Sequence, residues 1–336
     1  MKQYIVILLD DTSVSFCLYP NKEQERRLMP LDTLKASILY AMKENLNVQF
    51  VYPDYPLPAE YEAAIECIDH VKIKPLVVSD GADVVVLDGM EEAELLVRKG
   101  AKYATSYVLR IDKDSLFAQS SLIVTILNKV ARLNIVITDL ERFSNADFDA
   151  YKLWLQDINK SVASLYVDGK SSQLNLLTDR MMLDGMNNCG AGDTCLTLAP
   201  DGNFYVCPAF YLSEDGYSVG SLHNGLDVRN PQLYRLDHAP ICRHCDAYQC
   251  KRCIWLNRKL TLEVNTPSHE QCVVAHLERN ESRNLMQTLR RYGENFSPQG
   301  EKKKNFFLVI NPLKNTPPPM GIINAIPHSR TTINAA

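Results

Sequence analysis

Cysteine is nearly absent from the first half of this chain. Of ten cysteines, only Cys17 and Cys67 precede residue 189, which excludes a site built from several thiolates there. Long apolar runs are missing too. None reaches ten residues, whereas a membrane-spanning helix needs about 20. No basic segment precedes an apolar stretch at the start, so a secretory signal is not expected. Charge of one sign is not in excess: a net −4 over 336 residues offers no basic surface for nucleic acid. There is no internal repeat. These absences leave the expectation of a soluble, cytoplasmic globular protein without nucleic-acid or membrane partners. In a reducing cytosol disulfides are not the default use of ten cysteines; metal or cluster ligation is.

What is present changes character near residue 170. Before it, short apolar runs alternate with helical spacing. YIVILL (4–9), VQFVY (48–52), VKIKPLVV (71–78), DVVVLD (83–88), YATSYVLRI (103–111) and NIVITDL (134–140) read as strands. LDTLKASILYAMKEN (31–45) sets Leu31, Leu34, Ile38, Ala41 and Met42 on one helical face. Residues 59–68, 91–100, 115–133 and 145–159 also read as helices, the second ending at Gly100. ASLYVDG (163–169) reads as a last strand. This alternation predicts an α/β fold of βαβ units with a mainly parallel sheet. Right-handed crossovers then curl the sheet toward a partial barrel or leave it open.

From 170 to Cys272, turn residues and cysteines take over. PDGNFYVCP (200–208) predicts a hairpin turning at Asp201 and Gly202. A helix is expected from about Glu270 to 293. The tail from 297, with GEKKK and NTPPPMG, reads as a poorly ordered extension, with FFLVI (306–310) as a candidate edge strand.

The other eight cysteines are Cys189, Cys195, Cys207, Cys242, Cys245, Cys250, Cys253 and Cys272. CRHCDAYQCKRC (242–253) holds four of them in twelve residues. A CxxC turn lets two sulfurs approach one centre. The turns Cys242/Cys245 and Cys250/Cys253 are so close that all four reach one centre only with difficulty, so each can lend ligands to a different centre. Thiolates are soft ligands that suit zinc or iron–sulfur clusters, and eight suffice for two four-cysteine sites of either kind.

The order of these cysteines resembles the SPASM domain, the auxiliary-cluster module of many peptide-modifying radical S-adenosylmethionine enzymes. Cys189, twelve residues, Gly202, four residues and Cys207 are similar to its opening. The group Cys242, Cys245, Cys250, Cys253 and the last Cys272 follow, with two intervals of the group each one residue shorter than in the family. PDGNFYVCPA and YSVGSLHNGL resemble the family's hairpin and following loop. The likeness spans 186–276. It implies two interleaved 4Fe–4S clusters, one on Cys189, Cys195, Cys207 and Cys253, the other on Cys242, Cys245, Cys250 and Cys272. Zinc at the same positions is the alternative.

The same resemblance exposes a gap. Such enzymes hold a third cluster on CxxxCxxC after their first strand, and its open iron chelates and cleaves S-adenosylmethionine. Here YIVILLDDTSVSFCLYPN (4–21) occupies that place. Aligning its Tyr-Pro ending puts Asp11, Ser15 and Leu18 at the three cysteine positions, with Cys17 out of register. The glycine-rich turn after the second strand is replaced by VYPDYPLP (51–58), where Pro53, Asp54 and Tyr55 deny the close backbone approach that glycine allows. The expectation is a degenerate radical S-adenosylmethionine-like barrel (1–170) that does not bind the cofactor, a SPASM-like iron–sulfur domain (180–280) and a tail (297–336). An unrelated α/β domain is the alternative for the first part.

The stretch 253–285 further resembles maturases of CXXX-repeat peptides. This implies a ribosomally made, cysteine-rich peptide as partner, beside a second enzyme whose radical site is intact. The expected role is an iron–sulfur component of peptide maturation that binds the peptide or relays electrons. A non-redox peptide-binding scaffold with structural zinc or clusters is the competing reading. No catalytic residue is singled out. His238 and His244 are expected to stand behind the ligands or in solvent. Asp10 and Asp11 end the first strand where α/β ligand sites gather, and are expected either to touch a ligand or to be solvated. Cys67 is expected in the core, Trp255 as a shield between cluster and water, and Lys302 to Lys304 in solvent. With the first strand so near the start, no N-terminal leader-recognition domain is expected; the sheet edge, the tail or a partner would capture peptide.

Overall fold

The computed structural model describes residues 2–292 except 182, 214, 215 and 251. The expected tail, its candidate strand FFLVI and Lys302 to Lys304 lie outside the described residues.

Runs of aliphatic and β-branched residues form the strands as their composition predicts. These are β1 (Tyr4–Leu8), β2 (Asn47–Val51), β3 (His70–Pro75), β4 (Val84–Asp88), β5 (Ser106–Ile111) and β6 (Arg132–Ile137). They pair in chain order and are all parallel. Between them run α1 (Leu31–Lys43), α2 (Ala59–Ile65), α3 (Met90–Lys99), α4 (Lys113–Ala118) and α5 (Ser120–Leu127). One further helix and one strand complete this part: α6 (Asn145–Val167), then β7 (Gln173–Leu174) beside β6. On the other side, β8 (Cys195–Leu198) extends the sheet parallel to β1, and β9 (Phe204–Tyr205) follows antiparallel. The order is β7-β6-β5-β4-β3-β2-β1-β8-β9. The first strand of the cysteine region is thus hydrogen-bonded to the first strand of the chain.

Both faces of the sheet are buried, as parallel sheets require. Ile5, Ile7 and Phe50 pack outward with Leu34 and Ile38 of α1. Val85, Leu87, Leu109 and Ile135 pack outward with Leu96, Ile126 and Leu155. Val6, Leu8, Val51, Val86, Val108 and Val136 line the opposite, inner face.

ASLYVDG is not a strand. It is the last turn and a half of α6, a helix of 23 residues. Ser144 and Asp147 form a reciprocal capping box at its start. Ala163 and Leu165 continue the buried stripe of Tyr151, Leu155, Ile158 and Val162, so packing overrides the local β preference of Tyr166 and Val167. The stripe meets α9 (His269–Tyr292). Asn159 Nδ2 donates to Glu281 O at 3.0 Å and Tyr151 donates to Glu278 at 2.7 Å. The chain's final described helix is therefore bolted to the α/β part.

The cysteine region has little regular structure of its own. The β8–β9 hairpin turns at Gly202, whose φ of +77° suits glycine. Then come α7 (Pro208–Tyr211), β10 (Gly220–Ser221), β11 (Gly225–Leu226) and α8 (Ile254–Thr261). Among the described residues no helix is long and apolar enough to cross a membrane.

Candidate functional site

The loop after β1 folds inward and fills the space beneath it. Phe16, Leu18 and Tyr19 are buried, and Phe16 and Leu18 join the inner-face cluster with Val6, Val51 and Val108. Each of those two side chains contributes about 1.5–3 kcal/mol by leaving water. Arg110 of β5 holds the loop from below, sending Nε to Cys17 O (3.1 Å), Nη2 to Tyr19 O (3.2 Å) and Nη1 to Asp88 (2.9 Å). Ser13 Oγ donates to Val51 O at 2.9 Å.

Asp10 and Asp11 do not take the roles expected of them. Asp10 is fully buried. It accepts from Thr12 N (2.8 Å), Thr12 Oγ1 (2.6 Å) and the Tyr55 hydroxyl (2.7 Å). Asp11 pairs with Arg27 at 2.7 Å and accepts from the Tyr211 hydroxyl. Both are spent on the loop's own fold. Ser15 likewise donates to Tyr19 O. The three positions where cysteines belong in the resembled family thus hold an ion-paired aspartate, a turn-forming serine and a packed leucine. The stretch replacing the glycine-rich turn is a latch: Tyr55 reaches Asp10, the Arg26 guanidinium lies 4.5 Å over the Tyr55 ring, and Arg26 pairs with Asp54 at 3.3 Å. These residues do not fit a three-thiolate cluster site.

The eight remaining cysteines fall in two neighbourhoods on the cysteine side, with Cys195 at the start of β8. Cys242, Cys245, Cys250 and Cys272 line one cavity of about 280 Å³. Burial pushes the Cys250 thiol up to about 12. Burial also raises Cys272, with the nearby Cys242 and Cys245 adding to the effect. In the second neighbourhood, burial raises Cys207 far above the usual thiol range, and Cys253 and Cys189 reinforce it. Cys195 is buried at the start of β8, where its charge would act on Lys2 and Tyr4. Among the described residues, no three Cys, His, Asp or Glu side chains are gathered closely enough to hold a metal ion. The donor chemistry nonetheless suits a thiolate-bound centre. Buried thiols that repel one another on ionisation deprotonate together when a cationic core neutralises them.

His276 was not legible as a neighbour of this cavity, yet its Nε2 lies 3.5 Å from Cys245 Sγ. The available signal was its place four residues after Cys272 on one helix. Burial lowers its pKa and Arg279 lowers it further, which favours the neutral ring. His244 lines the same cavity from the surface, and His238 faces Asp237 at 3.0 Å. Trp255 is half-buried beside Cys189 and Cys253, with Nε1 donating to Ser213 at 2.9 Å. Cys67, expected in the core, is exposed. The helix α2 stops at Ile65, so the apolar spacing does not carry through to Cys67.

A central cavity of about 80 Å³ lies where the inner face of the sheet meets the cysteine region. Cys17, Cys189 and Cys253 reach it, together with Phe16 and Leu18. Its polar wall holds the buried ion pair of Arg180 and Glu278, and behind it lies a bidentate pair, Arg132 to Asp179 at 3.1 and 2.8 Å. Gln249 bonds both Asp179 (3.3 Å) and Asn187 (3.2 Å). Asn175 acts as a substitute strand, accepting from Ile135 N (2.8 Å) and donating to Ile135 O (2.9 Å). Two buried polar atoms of the wall have no hydrogen-bond partner, Asn134 Oδ1 and Arg180 Nε.

No protein-family model matches this chain, and no curated protein matches it. Solved structures do. Native anSMEcpe with bound AdoMet and Cp18Cys peptide superposes with a TM-score of 0.61 at 11% identity, covering 87% of this chain and 100% of that one. Native anSMEcpe with bound AdoMet and Kp18Cys peptide gives 0.58 at 11% identity, covering 85% and 99%. At such identity the likeness is one of fold. It extends over both the parallel sheet and the cysteine region, and the α/β fold is the radical S-adenosylmethionine-like partial barrel with its extension.

Proposed function

We propose that this protein is an iron–sulfur component of ribosomal-peptide maturation that binds a cysteine-rich peptide and does not generate its own radical. The observation that carries the reading is the contrast at the two thiol positions: eight cysteines drawn into the second half, and an apolar plug, Phe16 and Leu18, where a radical centre would sit. In support, the solved structures similar in fold contain peptides bound with AdoMet.

The residues that would hold one 4Fe–4S cluster are Cys242, Cys245, Cys250 and Cys272. The other would rest on Cys189, Cys207, Cys253 and Cys195. Such clusters supply electron transfer at a potential tuned by burial and hydrogen bonding. The chain's own residues do the rest. Arg110 and the Tyr55 latch keep the loop closed over the inner face. Asn134, Asn175 and Arg180 line the central cavity, where they would supply polar contacts to the peptide. A second enzyme with an intact radical site would perform the chemistry.

The test is incubation of the reconstituted protein with S-adenosylmethionine and dithionite. No 5′-deoxyadenosine is expected from this chain alone, and modification of the peptide is expected once an intact radical enzyme is added. Multiple-turnover release by this chain alone, abolished by changing any one clustered cysteine, would overturn the reading.

A further inference from the structure

The helix α9 carries a groove that the reading above leaves unused. Its cavity, of about 320 Å³, is lined by Arg279, Arg283 and Arg290, with Met181, Met286 and Tyr248 among its other lining residues. The three arginines fall at positions i, i+4 and i+11 of α9, which is one face of a helix. Asp246 is the one acid lining the groove among the described residues, and it is shared between Arg279 and Arg283, the latter at 2.7 Å. Arg290 is exposed and forms no ion pair among the described residues. This local positive excess runs against a chain of net charge −4.

The groove lies next to the central cavity. Arg180 lines both, and its buried ion pair with Glu278 is the wall between them. A segment lying along α9 would therefore pass close to the central cavity.

We propose that this groove binds an acidic segment of the same peptide, studded with apolar residues, outside its cysteine-bearing part. The inference rests on the peptide-binding reading and adds how the peptide is captured. Arginine forks pair with carboxylates in two-point fashion. Methionine side chains adapt to varied apolar neighbours. A concave, methionine-floored groove fits an extended chain better than the rounded surface of an acidic globular protein. Holding the acidic segment raises the local concentration of the linked cysteine segment at the central cavity, with no new contact there.

The experiment uses the full, anaerobically prepared chain and three labelled peptides, read by fluorescence anisotropy. One alternates glutamate and leucine, one has glutamine for every glutamate, and one is a neutral cysteine-rich CXXX-repeat peptide. The acidic peptide is expected to bind, to weaken as salt rises, and to lose at least about tenfold in affinity in an R283E/R290E double variant. The glutamine peptide is expected to bind at least about tenfold more weakly than the acidic one. Arg290→Lys, which keeps the charge, separates charge loss from damage to the helix, and an unchanged thermal transition excludes misfolding. Equal binding of acidic and glutamine peptides, or no loss in the double variant, overturns the inference. The CXXX-repeat peptide isolates the earlier reading: if it binds and the acidic peptide does not, only the groove falls. If the acidic peptide binds and the CXXX-repeat peptide does not, the groove stands and the cysteine-peptide reading falls.

Discussion

Between Tyr4 and Leu177 the chain buries two aliphatic layers on either side of a parallel sheet. Between Asn187 and Pro267 its strands are two to four residues long, and its backbone turns on glycines and 3₁₀ segments. The first part holds itself together by area removed from water. The second has few aliphatic residues to bury and instead crowds thiols whose ionised forms repel. On the proposed reading, ligation would bring those sulfurs together. The same contrast separates the two places where a cluster can be imagined. The β1–α1 loop is held by packing and hydrogen bonds. The cysteine region carries its thiols where regular structure is sparse.

Three perturbations should break or sharpen this contrast. The largest effect is expected from preparing the protein without metal, or from stripping it with a chelator under reducing conditions. Backbone amides from Cys189 to Cys253 should then lose protection in hydrogen exchange, while those of β1 to β6 keep theirs. Equal loss in both parts would show that the cysteine region is not held by ligation. A smaller effect is expected from single thiol changes. Cys250→Ala and Cys253→Ala should each lose about half the iron, because on the proposed assignment the two residues would serve different clusters of four irons each. Their residual spectra should differ. Identical residual spectra would mean that the knuckle feeds one site. The smallest effect is on the α/β side. Asp179→Ala leaves Arg132 buried without its bidentate partner, and should cost about 3–5 kcal/mol of stability in urea titration with the iron content unchanged. Iron loss in that variant would show that the two parts are not energetically separate.

How much of this was legible in the sequence follows the same division. The βαβ alternation, the stop at Gly100 and the turn at Gly202 were readable because period and backbone conformation are local signals. The spacing of the cysteines was readable too. Residues 163–169 were misread because Tyr166 and Val167 favour strands locally, whereas Ala163 and Leu165 extend the buried stripe of a helix that packs on α9, more than a hundred residues away. The plug was hidden for a similar reason. Phe16 and Leu18 look like loop residues until Val51, Val108 and Val136 are brought beneath them. Asp10 gave no sign of its burial, since Tyr55 comes from a different crossover. His276 became a thiol neighbour only once α9 was set against the 242–253 knuckle.

The most direct test is elemental analysis of the chain purified and reconstituted without oxygen, with iron, sulfide and zinc measured against protein. Two four-thiolate cubanes and a closed barrel site predict about eight irons and eight sulfides per chain with a brown colour. About twelve irons would place a third cluster in the β1–α1 loop after all, and a colourless protein with about two zincs per chain would make the thiols structural staples; either result would contradict the account.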